Sequence, residues 1–186
     1  MRRTATMALT AAAVALFAST GSAQSPRPIT LGISAGAAIP AGDFADAAET
    51  GFNGTVSLGF QPYGSSVGLR IDGMYNKFST KDEFDLGGEE DNDPTIVAGT
   101  ANLIFSLPGQ GIRPYLIGGG GIYGLKNRFT TVVNDADYET NVGVNGGIGA
   151  AFPLAGFSTF IEARLHHIFS DDGSIQFVPV TFGISF

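Results

Sequence analysis

The sequence predicts an all-β fold, an eight-stranded antiparallel up-and-down transmembrane β-barrel, on three observations. Eight runs of about ten residues alternate apolar and polar side chains with a period of two, the length a tilted strand needs to cross a bilayer. The connections alternate as well: those after the odd-numbered runs are polar and mostly long, and those after runs two, four and six are short and rich in Pro and Gly. The face opposite the apolar one holds mostly Gly, Ser, Thr and Asn with few charges, whereas a soluble barrel points its apolar face inward and turns a charged face to water.

The barrel is expected over residues 24–186, because residues 1–23 read as a cleaved signal peptide. Arg2 and Arg3 open it, residues 7–17 form an apolar run too short to span a bilayer, and Gly21, Ser22 and Ala23 are the small residues that precede cleavage. The chain has no Cys, so its stability rests on packing and backbone pairing. Its formal charge of −7 includes the two signal arginines, and without them it is −9, which argues against a nucleic-acid partner. No stretch of the mature chain is amphipathic at the helical period.

The first run places Ile29, Leu31, Ile33, Ala35, Ala37 and Ile39 on one face, and the acidic segment "AGDFADAAET" follows it. The second has Phe52, Val56, Leu58 and Phe60 against Asn53, Thr55 and Ser57, and ends in the turn "PYGSS". In the third, Val67, Leu69, Ile71 and Tyr75 oppose Arg70, Asp72, Met74 and Asn76. After the acidic stretch 79–94, the fourth run sets Val97, Ala101, Leu103 and Phe105 against Asn102. The fifth, "RPYLIGGGGIYG", is read with Tyr115, Ile117, Tyr123 and Leu125 on its apolar, lipid-facing side; its glycines are read as close packing and curvature, since no helix follows to make a phosphate cradle.

The sixth run opposes Val142, Val144, Ile148, Ala150 and Phe152 to Asn141 and Asn145, and the seventh opposes Thr159, Ile161, Ala163 and Leu165 to Glu162, Arg164 and His166. The eighth closes the chain with Val178, Val180, Phe182, Ile184 and Phe186. Phe60, Phe105, Tyr115, Phe152, Phe157 and Phe186 then belong to one aromatic girdle, and Phe52, Tyr75 and Tyr123 to the other.

With the signal peptide and the eight runs, "GAAIPAGDF", "RPYLIGGGG", "FIEARLHH" and the terminal "FVPVTFGISF" resemble the small eight-stranded outer-membrane barrels of Gram-negative bacteria, the OmpA-type transmembrane domain. The resemblance implies a place in the bacterial outer membrane, both mature termini in the periplasm, and contact with outer-membrane lipid and lipopolysaccharide. It also implies that Val180, Phe182, Ile184 and Phe186 form the terminal signal read by the barrel assembly machinery. Longer relatives carry a periplasmic domain that grips the cell wall; the chain is expected to end with the barrel, so peptidoglycan binding is not carried over.

The polar face contains the candidate site. Arg70 and Asp72 on the third strand and Glu162, Arg164 and His166 on the seventh lie roughly opposite each other in an eight-stranded closed barrel. Two Arg and two carboxylates in a water-poor lumen are expected to pair across it. Such a network can plug the barrel or gate a narrow path, and the filled interior usual for this strand number favours the plug. A Ser-His-Asp reading of His166, His167, Ser170, Asp171 and Asp172, which would give a lipid A-modifying enzyme, fails on spacing: His167 and Ser170 have opposite parity, and His166 to Ser170 spans about 13 Å at the strand rise. The acidic stretch 79–94 could collect divalent cations but lacks the spacing of a calcium loop. No cofactor is expected. The function expected is structural or surface-interacting and non-catalytic, with a narrow porin-like channel as the alternative.

Overall fold

Strands with one apolar face and no internal partner for their backbone groups must pair side by side until no edge remains, if that face is to lie in lipid. A computed structural model shows this outcome and describes residues 28–80, 93–109, 111–126, 139–170 and 173–186. The strands are β1 (Ile29–Ala41), β2 (Ala48–Phe60), β3 (Val67–Thr80), β4 (Thr95–Ser106), β5 (Arg113–Lys126), β6 (Glu139–Pro153), β7 (Ser158–Ser170) and β8 (Gly173–Ser185). Each pairs antiparallel with its neighbours in chain order, and β1 pairs with β8 to close the barrel. The β1–β8 ladder runs to the last residue: the Phe186 N–H donates to the Leu31 carbonyl at 2.8 Å, and the Leu31 N–H donates back at 3.1 Å. The expected signal peptide 1–23, and all but the ends of the acidic stretch 79–94 with its cation contacts, lie outside the described residues.

The side chains are arranged inside out. Val56, Ile71, Ile148 and Phe182 are each about 60% exposed, while Asn53, Asn76, Asp72 and His166 are at 1% or less. The apolar faces read for β1 to β4 and β6 to β8 point outward, the arrangement that lipid requires. Phe60, Phe105, Phe157 and Phe186 are exposed toward the turn end, and Phe52, Tyr75 and Phe169 toward the loop end.

The fifth strand is the correction. Tyr115, Ile117, Tyr123 and Leu125 are buried in the lumen, and Leu116 and Ile122 face outward. Both parities of "RPYLIGGGGIYG" contain apolar residues, so alternation alone does not choose between them. The choice is made inside, where each tyrosine hydroxyl finds a hydrogen-bond partner that lipid cannot supply. Tyr115 and Tyr123 therefore leave the expected girdles.

The connections also differ in length from the sequence reading. β1 and β2 are separated only by Gly42, Asp43 and a single-turn helix α1 (Phe44–Ala47), too short to leave a helical period in the sequence. β7 and β8 form a hairpin in which Ser170 is paired to Gly173, and Asp171 and Asp172 of the hydrolase reading lie outside the described residues. Pairing runs on to Ala48 opposite Thr80 and absorbs residues that read as loop. At the other end, Gly64 (φ 70°) and Gly156 (φ 93°) take the left-handed backbone that these tight turns need.

Ile71 lies about midway along the lipid-facing band of β3, and Val67 lies at its turn end. Ile71→Arg is expected to cost about 2–4 kcal/mol and Val67→Arg about 0–1 kcal/mol, read from urea unfolding of the protein refolded into lipid vesicles. Equal costs would mean that this face does not contact a bilayer.

Candidate functional site: the barrel lumen

Inward-facing positions of adjacent strands stack in layers, and the register places four charges in one of them. Arg70 and Asp72 come from β3; Glu162 and Arg164 come from β7, across the barrel. The Arg70 Nη2 donates to Glu162 Oε1 at 2.7 Å, and its Nε lies 3.0 Å from Asp72 Oδ1. The Arg164 Nη1 donates to Asp72 Oδ2 at 2.7 Å, and its Nε lies 2.8 Å from Glu162 Oε1. Each guanidinium therefore touches both carboxylates, and the two positive and two negative charges form a closed ring that crosses the lumen. None of the four residues is more than 9% exposed.

Neutral groups occupy most of the remaining hydrogen-bonding capacity, which makes so deep a charge cluster tolerable. Tyr115 Oη donates to Glu162 Oε2 at 2.7 Å, and Asn102 Nδ2 donates to Asp72 Oδ2 at 2.9 Å. Asn145 Nδ2 continues the chain to Asn102 Oδ1 at 2.9 Å. Glycines make the space for these side chains: a Cβ at Gly149 would collide with the Tyr115 ring, and one at Gly147 with Arg164.

His166 shares the face but stands outside the ring. Its Nδ1 lies 2.9 Å from the Tyr123 hydroxyl, and its imidazole stacks on Phe177 with ring centres 4.9 Å apart. Beside it, Asn53 Nδ2 donates to Asn76 Oδ1 at 2.6 Å. Beyond this layer, toward the loop end, the lumen is apolar. Phe78, Phe177, Ile96, Ile168 and Leu125 form a buried cluster, with Phe78 edge-on to Phe177 and Phe44 of α1 edge-on to Phe78. The sequence reading expected a polar plug and missed this stopper. For Phe78, Phe177, Ile96 and Ile168 the signal was present, since each shares inward parity with polar neighbours on its own strand; Leu125, on β5, had none.

The serine and histidines of the hydrolase reading do not meet. His167 is on the outer face against Phe169, His166 is fully buried, and the Ser170 hydroxyl lies 3.5 Å from Glu139 Oε1 at the loop end. Inward-facing Ile168 stands between His166 and Ser170 on β7. Of the terminal residues, Val180, Phe182 and Phe186 are exposed outward and Ile184 is half-buried, and the Phe186 ring lies 6.3 Å from that of Phe157.

No family model matches the sequence, and no curated protein does. The fold does match solved structures. Neisserial surface protein A is similar over 87% of this chain and 98% of its own at 12% identity, with a TM-score of 0.68. For a major outer membrane protein from Thermus thermophilus the match covers 86% and 99% at 16% identity, TM-score 0.51. For the N-terminal β-barrel domain of Pseudomonas aeruginosa OprF it covers 84% and 97% at 16% identity, TM-score 0.50. The chain thus has the architecture of the small eight-stranded outer-membrane barrels.

Removing one member of the ring leaves an unpaired buried charge. Asp72→Ala is expected to destabilise the barrel by about 3–5 kcal/mol. Lys77→Ala, which breaks the exposed Lys77–Asp93 pair (3.3 Å), should cost about 0–1 kcal/mol. Urea unfolding of both variants in the same lipid checks the difference, and comparable losses would mean that the ring contributes no more than a surface pair.

Proposed function

We propose that this protein is an integral barrel of the bacterial outer membrane, exported by residues 1–23, with both mature termini in the periplasm. Its role is structural or surface-interacting and non-catalytic. The observation that carries the reading is the double closure of the lumen: a four-charge ring bonded wall to wall, and an apolar stopper above it that α1 caps with Phe44. Water and ions entering from the turn end meet charged groups already bonded to one another, and further on a cluster of apolar side chains that offer an ion no solvation. Such an interior suits a rigid anchor whose contacts are made outside. The outward apolar band meets lipid and the loop end meets lipopolysaccharide. The separation of Ser170 from both histidines supports the non-catalytic part of this reading.

Single-channel recording of the refolded, signal-free protein in a planar bilayer tests the reading, with heat-modifiable gel mobility confirming that the barrel is formed. The expected result is a folded barrel without resolvable channels. Steady openings would replace the anchor with a narrow channel.

The terminal strand is proposed to carry the assembly signal through Val180, Phe182, Ile184 and Phe186. Phe186 has two separable roles, since its backbone closes the β1–β8 ladder and its side chain faces outward. Phe186→Ala keeps the first and removes the second. It should refold in vitro as wild type does, yet accumulate several-fold less in the outer membrane of expressing cells. Normal accumulation would leave the ring as an interfacial anchor only.

A further inference from the structure

The stopper fills only the loop end. At the turn end the lumen opens into a vestibule of about 640 Å³, whose floor is reached by Arg70 and Tyr115. That volume falls within the usual range of small-molecule sites. The charge of its wall is opposite to that of the chain. The protein carries a net −7, yet among the described residues the vestibule is lined by two arginines, Arg70 and Arg113, and by no Asp or Glu; Arg70 is balanced within the ring by Asp72 and Glu162, so Arg113 carries the wall's net charge.

The two guanidinium groups differ in how much of their bonding is spent. Arg70 uses Nε and Nη2 on Asp72 and Glu162, and its Nη1 makes no hydrogen bond to a described residue. Arg113, exposed at the rim, forms no ion pair with a described residue, so its charge is uncompensated. The wall also holds Ser57, Ser106 and Ser158 and the ring of Phe160, and the Ser106 hydroxyl is shared with the Gln61 side-chain amide, 3.3 Å from its Nε2. A rim guanidinium, a floor guanidinium and wall hydroxyls lining one cavity favour a ligand having one oxyanion and a hydroxylated body.

We infer that the turn-end vestibule is a binding site for a small hydroxylated oxyanion, of the class of sugar acids or sugar phosphates. The oxyanion pairs with Arg113 and reaches toward the free edge of Arg70, while the ligand hydroxyls meet the serines. A carboxylate and a phosphate ester present the same acceptor geometry to a guanidinium fork, and the two sources are separated by experiment. The site is independent of whether the lumen conducts, because it ends at the charge ring.

The test is titration calorimetry of the refolded, signal-free protein in detergent with gluconate, glucose 6-phosphate and glucose as probes. At least one anion should bind, glucose should bind at least about tenfold more weakly, and Arg113→Ala should weaken the anion about tenfold or more, the loss of one charge-assisted contact. Lys77→Ala removes the same unit of charge at the opposite end of β3 and should leave the anion's affinity unchanged. Gel mobility establishes that each variant is folded. Gluconate without glucose 6-phosphate would identify a carboxylate site, and the converse a phosphate site. Absence of binding by either anion, equal binding of glucose, or equal losses in the two variants would overturn the inference.

Discussion

Closure of the backbone is the constraint on which everything else rests. Hydrocarbon offers no partner to an N–H or a carbonyl, so a sheet in a bilayer is viable only when its first strand meets its last. Here β1 meets β8 from Gly32 opposite Ser185 to Ala41 opposite Gln176, and the terminal Phe186 adds a reciprocal pair of hydrogen bonds with Leu31. Once the ring is closed, side-chain placement is decided by parity. Alternate residues face outward and are mostly apolar; the others share a lumen too narrow to stay empty.

That narrowness explains the pairing of glycine with bulk inside the barrel. Gly143 lies against the Tyr123 ring, Gly149 against Tyr115 and Gly183 against Phe160. A large side chain can cross the lumen only where the strand it meets has none. The charge ring follows the same logic: Arg164 passes beside Gly147 on β6 to reach Asp72 on β3. The charges that span the barrel are tolerable because they arrive in equal numbers and because Tyr115, Asn102 and Asn145 hydrogen-bond the network at both sides.

Strand number, order and the outward face of seven strands were legible in the sequence because lipid enforces a strict period of two on them. The facing of Arg70 and Asp72 toward Glu162 and Arg164 was legible for a related reason, since strands three and seven of an eight-membered ring lie opposite each other. β5 was not. With glycine at four successive positions, its hydrophobicity is carried by Tyr115, Leu116, Ile117, Ile122, Tyr123 and Leu125, which divide between both parities. What separates them is the availability of Glu162 and His166 as partners for tyrosine hydroxyls, a fact of register that belongs to other strands. The apolar stopper escaped for a similar reason. Phe78, Phe177 and Ile168 share inward parity with polar residues, and only the assembled barrel brings these three side chains to one level.

The lumen that results is graded along its axis, and the gradient has a direction. From the turn end a solute meets first a hydroxyl-lined vestibule with uncompensated positive charge, then a ring whose charges cancel, then amides and an imidazole, and finally aromatic and aliphatic side chains without donors or acceptors. Each step lowers the capacity to solvate an ion, so the electrostatic cost of advancing rises toward the loop end. A uniform polar filling would have left a hydrogen-bonded route for water from one end to the other. Placing the apolar cluster beneath the connections and the open vestibule at the turns isolates the two ends of one small barrel. Its two ends can then present different surfaces, although they share the same eight strands.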